Sequence, residues 1–470
     1  MQGRRRLPWF VIAFTVFGLL AIATPVSAAS KEQVLRNFLC PSRDCPNGAY
    51  PLASLIFDGA GNLYGTTSSG GVRGNGGCGN NGCGLVFELS PGAGGTWNET
   101  VLYTFCTVSD CTDGAFPTSS LIFDSVGNLY GTTNEGGAYV TGCGGFGCGT
   151  VFELSPSTGG AWTETVLHSF GTGSDGALPV AGLIFDAAGN LYGTSVDGGT
   201  SGTGCYGYGC GTVFELSPSA GGTWTESILY NFCSASGCAD GASPRAGLIF
   251  DPAGNLYGTT YQGGAYVTGC SGHGCGTVFE LSPSAGSAWT ETVAYSFHGK
   301  DGRGPYAGLV FDAVGNLYGT TSGGSGSSRC KQATCGTVFE LTQVNGKWNE
   351  KVLHLFAEGT GGNQPYASLV FDTVGNLYGT TLHGGVDGCK AHGHGCGTAF
   401  RLAPRTNGKW VETVLHSFKG GPTDGAYPNA SLIFDTTGNL YGTTVDSGYY
   451  NTCSTTGAYQ GCGSVFEITP

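Results

Sequence analysis

Five aspartates occupy one place in a recurring Asp-Gly-x-x-Pro pattern: Asp113, Asp175, Asp240, Asp301 and Asp424, with Asn47 and Gly361 at the same place in two further copies. Carboxylates from several copies, gathered around one axis, would hold a divalent cation as a Lewis acid, the chemistry of a lactonase-like hydrolase or lyase. The plainer reading is a turn that delivers the chain to a strand starting at proline. A second group, His383, Asp387, His392 and His394, surrounds Cys389 and Cys396. Two imidazoles one residue apart chelate a transition metal once a third donor joins them. No neighbouring copy repeats that group, and a solvated loop is its competing reading. No nucleophile elbow, phosphate loop or isolated Ser/His/Asp arrangement stands out, and the serines and aspartates recur throughout the chain. Chemistry needs one asymmetric place, so no catalytic residue is assigned, and a divalent cation is the only cofactor for which the sequence leaves room.

Twenty cysteines form ten close pairs: Cys40/Cys45, Cys78/Cys83, Cys106/Cys111, Cys143/Cys148, Cys205/Cys210, Cys233/Cys238, Cys270/Cys275, Cys330/Cys335, Cys389/Cys396 and Cys453/Cys462. An even count behind an export signal reads as disulfides. Four-thiolate zinc sites also use paired cysteines, but usually with two to four residues between partners.

The elements that position these residues come from a tandem array. The phrase FDxxGNLYGT begins at Phe57, Phe123, Phe185, Phe250, Phe311, Phe371 and Phe434, a period of 60 to 66 residues. Each period holds four strand-like runs; in the second copy these are Ser120 to Phe123, Asn128 to Thr133, Thr150 to Ser155 and Trp162 to Phe170. Four short strands per unit and no helical periodicity predict an all-β, seven-bladed propeller. The last copy lacks a fourth strand, while Val34 to Phe38 matches Val101 to Phe105 and Val414 to Phe418. An N-terminal strand pairing in the last blade would close the ring and remove two open sheet edges. Seven cysteine pairs fall between strands two and three and three between strands four and one, so all ten staples are expected on one face of the disc.

Residues 1–28 read as a signal peptide: Arg4, Arg5 and Arg6, an apolar run from Trp9 to Ala23, then Val26-Ser27-Ala28 before cleavage. Residues 29–470 form one domain. Removing the three arginines takes the formal net charge from −13 to −16. So acidic a body argues against nucleic acid and anionic membrane surfaces as partners.

With LIFDxxGNLYGTT, GTVFELSP and VLHSF in view, the chain resembles the Gloeobacter/Verrucomicrobia-type (GloVer) tandem repeat proteins of bacteria over nearly all its mature length. That resemblance implies a propeller-like repeat fold and no particular activity. Relatives often carry a C-terminal sorting anchor; here the sequence ends at Pro470, which implies free secretion or the periplasm. The GNLY turn is also similar to NHL-type propellers and metal-dependent lactonases, whose scattered ligands do not map onto this chain. The expectation is a secreted, monomeric, non-enzymatic module that binds a protein or glycan through the stapled face, without membrane insertion after cleavage. The alternatives are a metal-dependent hydrolase or lyase at the channel mouth, and a structural envelope component.

Overall fold

A computed structural model describes residues 30–470, except 41–44, 72–77, 79–81, 140–142, 144, 172–173, 201–204, 206–208, 267–269, 271, 285–287, 325–334, 358, 387–388, 390–394, 421–422 and 448–460. The signal segment therefore lies outside the described residues. Seven antiparallel four-stranded blades make up a propeller. Blade three is representative, with strands Ile184–Phe185, Leu191–Ser195, Thr212–Pro218 and Trp224–Asn231. Among the described residues there is no α-helix, and none long and apolar enough to cross a membrane.

The ring closes as expected. Lys31–Asn37 pairs antiparallel with Ser464–Thr469, from Lys31 opposite Thr469 to Asn37 opposite Ser464. Its register shifts between Val34 and Arg36, as blade two shifts between Val166 and His168, so the N-terminal strand copies an ordinary fourth strand down to its bulge.

The core lies between blades. The Phe at the end of each fourth strand meets the third-strand Phe of the next blade edge-to-face at 5.0–5.2 Å: Phe105 on Phe152, Phe170 on Phe214, and Phe38 on Phe87 across the closure. Trp97, Trp224, Trp289, Trp348 and Trp410 each pack on the preceding blade's second-strand Tyr. Alternation explains this arrangement: in Thr-Val-Phe-Glu-Leu the Phe and Leu face a neighbouring sheet, and the strand pattern is buried except for Glu and the terminal residues.

The FDxxGNLY phrase is a self-satisfied hairpin. Asp186 Oδ1 accepts the N–H groups of Ala188 (2.9 Å) and Asn190 (2.8 Å), while Oδ2 accepts from Asn190 Nδ2 (2.8 Å) and the Tyr192 hydroxyl (3.2 Å). Gly189 follows at φ +88°, a conformation that any side chain would strain. Burial opposes the charge on Asp186, but the hydrogen bonds, led by those from Asn190, outweigh it and hold the carboxyl below its ordinary range. Four donors on one carboxylate leave no room for a metal. Replacing Asp186 by Ala is expected to cost about 1–3 kcal/mol in urea unfolding, because those donors lose their shared acceptor. An unchanged midpoint would refute that role.

Strand one is shorter than its sequence pattern predicts. In blade two it spans only Ile122–Phe123, and Ala115–Pro117 pairs separately with the far end of Leu129–Glu135. The residues between are used across the blade boundary instead of in the sheet. Thr66, Thr132, Thr194, Thr259, Thr320, Thr380 and Thr443 donate their hydroxyls to the carbonyls of Ser119, Ala181, Ala246, Ala307, Ala367, Ala430 and Ala53, at 3.0–3.3 Å. Seven equivalent bonds thus run around the channel without interruption.

Candidate binding site at the channel mouth

The staples also anchor the chain that runs inward to the channel. Tyr50, Phe116, Leu178, Ser243, Gln364 and Tyr427 all adopt φ between 54° and 60°, with Gly304 at 58° in the seventh copy. Each donates its N–H, at 2.7–2.9 Å, to the carbonyl of the second cysteine of the preceding blade's staple, from Cys462 onto Tyr50 to Cys396 onto Tyr427. A left-handed backbone in bulky residues is costly, and this latch holds it. Disulfides join Cys40 to Cys45, Cys78 to Cys83, Cys106 to Cys111, Cys143 to Cys148, Cys205 to Cys210, Cys233 to Cys238, Cys270 to Cys275 and Cys389 to Cys396. Cys335 and Cys462 are also disulfide-bonded, while Cys330 and Cys453 lie outside the described residues. Two loop classes do share a face: the sulfurs of Cys106 and Cys111 lie within 4.8 Å of those of Cys78 and Cys83, and Cys233/Cys238 stand likewise beside Cys205/Cys210.

After the latch the chain reaches the axis. The channel, a cavity of about 350 Å³, is lined by the residues following each proline: Leu52, Thr118, Val180, Arg245, Tyr306, Tyr366 and Asn429, and by the small residues after them. Ser54, Ser120, Ser368 and Ser431 link one side through hydroxyls: Ser54 N–H to Ser120 Oγ, Ser431 N–H to Ser54 Oγ and Ser368 N–H to Ser431 Oγ, at 2.9–3.2 Å. Gly182, Gly247 and Gly308 occupy the other side, where a Cβ on Gly247 would come to 3.1 Å from the Gly182 carbonyl.

Seven-fold repetition fails at this ring. The Arg245 guanidinium lies over the rings of Tyr261 (5.2 Å) and Tyr306 (5.5 Å), within cation–π range. Tyr306 meets Tyr366 edge-to-face at 4.8 Å and Tyr261 at 6.1 Å. Burial, then the neighbouring tyrosines, pushes the Tyr366 hydroxyl above its ordinary pKa, so it remains a donor. Arg245 Nε is buried without a hydrogen-bond partner among the described residues. Beside this cluster lies a cavity of about 320 Å³ whose walls include Tyr261, Gln262, His273, Arg303, Gln364 and Tyr366. Cys270 also lines it, which puts it on the stapled face. Gly304 makes the space: a Cβ there would fall 2.8 Å from the Tyr261 ring, and the other six copies carry a side chain at this position.

The aspartates expected around the channel mouth stand elsewhere. Asp113, Asp240, Asp301 and Asp424 are buried against the fourth strand of the preceding blade and are not among the residues that line the channel. Asp113 Oδ2 accepts from the Tyr103 hydroxyl (3.0 Å) and Thr107 N–H (2.9 Å); Asp240 repeats this with Tyr230 and Ser234, while Asp301 divides the pair, Oδ2 accepting from the Tyr295 hydroxyl and Oδ1 from the His298 N–H. His416 Nε2 lies 3.0 Å from Asp424 Oδ1, and Asp175 faces His168. The pattern starts at the outer rim, and about six residues of inward-running chain separate it from the axis. Asn47 takes the position at the closing junction and Gly361 takes it before blade six. Of the second group, His383 bridges to Asn363 through paired backbone hydrogen bonds and packs on Tyr427 at 5.4 Å, while Asp387, His392 and His394 lie outside the described residues.

A second carboxyl faces the aspartate at four rim junctions, supplied by the Trp-x-Glu of the next fourth strand. Glu164 approaches Asp113, Glu226 approaches Asp175, Glu291 approaches Asp240 and Glu350 approaches Asp301. Burial, reinforced by the facing aspartate, pushes Glu164 up to about 8, Glu226 to about 9, and Glu291 and Glu350 to about 7. Where Asn47 replaces Asp, Arg36 pairs with Glu99 instead.

The profile of the Gloeobacter/Verrucomicrobia repeat family matches residues 26–206 and 205–456. No curated protein sequence matches the chain. Among solved structures, a fungal alcohol oxidase of the AA5 family in complex with copper is similar over 94% of this chain and 77% of its own, at 15% identity and a TM-score of 0.52. An ancestral GH74 enzyme is similar over 90% of this chain at 12% identity and a TM-score of 0.50; the match spans 48% of that enzyme. At such identities the likeness extends to the architecture alone.

Proposed function

We propose that this chain, which belongs to the Gloeobacter/Verrucomicrobia repeat family, is a secreted, non-enzymatic binding module that takes a glycan at the channel mouth of its stapled face. The observation that carries this reading is the departure from seven-fold symmetry at the channel ring, Arg245 with Tyr261, Tyr306 and Tyr366 beside a cavity opened by Gly304. Tyrosine rings offer flat apolar faces for sugar C–H groups, and Gln262, Arg303 and Gln364 offer donors for hydroxyls. Arg245 adds a fixed cation for an acidic sugar within an otherwise negative body, so local complementarity and global repulsion together favour short uronic-acid oligosaccharides over polyanions. Latched, disulfide-held loops lower the ordering cost of binding.

Titration calorimetry with uronic-acid oligosaccharides tests this. Arg245→Ala and Tyr306→Ala are each expected to weaken binding by about tenfold or more. Equal affinity in both variants, or no uptake of any oligosaccharide, removes the proposal; turnover of the bound sugar would replace it with a hydrolytic one.

A further inference from the structure

We propose that the junction between blades two and three is a zinc site, held by His168, Asp175 and Glu226. The three donor atoms lie within 4.8 Å of one another. His168 Nε2 stands 3.4 Å from Asp175 Oδ1 and 3.6 Å from Glu226 Oε1. Both separations exceed a good hydrogen bond, yet they match the edge of a tetrahedron, about 3.4 Å, around a zinc ion with bonds near 2.1 Å. His168 Nε2 and Glu226 Oε1 are buried atoms without a hydrogen-bond partner among the described residues. One imidazole and two carboxylates are a donor set that zinc accepts, with the fourth position left to water.

Each donor is held in place. Asp175 Oδ2 accepts the Gly171 N–H at 2.7 Å and Oδ1 the Gly176 N–H at 2.8 Å, an outer shell that fixes the carboxylate plane. The His168 ring packs edge-to-face on Phe170 at 4.7 Å. His168 comes from the fourth strand of blade two and Glu226 from that of blade three, so the ion would cross-link two blades. Five other junctions lack the set: Tyr103, Tyr230 and Tyr295 replace the imidazole at three, Arg36 at the closure, and Gly361 removes the aspartate beside His354. Glu32, His416 and Asp424 repeat the types, but there the imidazole already lies within hydrogen-bond distance of Asp424 at 3.0 Å.

Equilibrium dialysis of the disulfide-intact full chain against Zn²⁺ is expected to give a bound equivalent that His168→Gln and Glu226→Gln lose and His416→Gln keeps, with affinity falling at least about tenfold in the first two. Zn²⁺ should raise the thermal midpoint of the wild type and of His416→Gln only. Co²⁺ provides a readout independent of stability, the intense visible band of a low-coordinate cobalt site, absent from Glu226→Gln. Wild-type protein that takes up no Zn²⁺, or zinc and cobalt signals that survive in both variants, overturns the proposal.

Discussion

A chain shortened to begin at residue 39 is expected to lose cooperative folding near neutral pH and to self-associate. The missing segment is the fourth strand of blade seven, and its removal exposes the whole paired edge of Ser464–Thr469. Open strand edges template further pairing, which is the route to aggregation. It also deletes Phe38, which is fully buried and stacks on Phe87, and Arg36, the ion-pair partner of Glu99. Phe38→Ala alone should cost about 3–5 kcal/mol by the cavity it leaves. The same change at Phe170, between two interior blades, should cost a similar amount, because both rings meet equivalent partners at 5.1–5.2 Å. A synthetic peptide spanning residues 30–38 should restore the transition by strand addition. Calorimetry and size-exclusion chromatography read these outcomes. A truncated chain that melts as the wild type does, as a monomer, would mean that closure contributes nothing.

The closure was legible because it depends on matching one local pattern to another: Val34 to Phe38 repeats the fourth-strand phrase, and strand pairing follows from the pattern. The hairpin role of Asp186 was legible for the same reason, since all its donors lie within six residues. Radial position was not. Asp113 and Ser119 are six residues apart, yet one is at the rim and the other at the axis, and a turn motif carries no information about which end of an inward run it occupies. The channel cluster was missed because it joins three blades side by side. Its signal is present only in an alignment of the seven copies, where the residue after proline changes from Leu52 to Arg245 to Tyr366 while its surroundings hardly vary. The Trp-x-Glu carboxyl gave no signal in sequence, because its burial comes from the junction with the preceding blade, where it faces that junction's aspartate, and not from its own strand.

Raising the pH from about 5 to about 8.5 is expected to lower the thermal midpoint, by roughly 3–5 °C, through four of those glutamates. Burial, then the facing Asp113, Asp240 and Asp301, raises Glu164 to about 8 and Glu291 and Glu350 to about 7; burial alone raises Glu412 to about 7. In the unfolded chain each carboxyl ionises near 4.5. Below that value both states hold the proton and the glutamates do not favour either. Between about 4.5 and 8 the unfolded chain gives up protons that the native state retains, so native stability declines across this window and levels off above it. Each site is partly exposed, and water tempers the loss to roughly 1 kcal/mol apiece. His354, lowered by burial to about 4, works in the opposite direction: it favours the unfolded state below 6.5, and it is one group against four. The turn aspartates, held below their ordinary range, act only at more acidic pH. Glu164→Gln keeps the shape without the charge, so it should match the wild type at pH 5 and exceed it at pH 8.5. Were this variant instead the less stable protein at pH 8.5, the rim carboxyl would be an asset in its ionised form, and the assignment of a retained proton would fail.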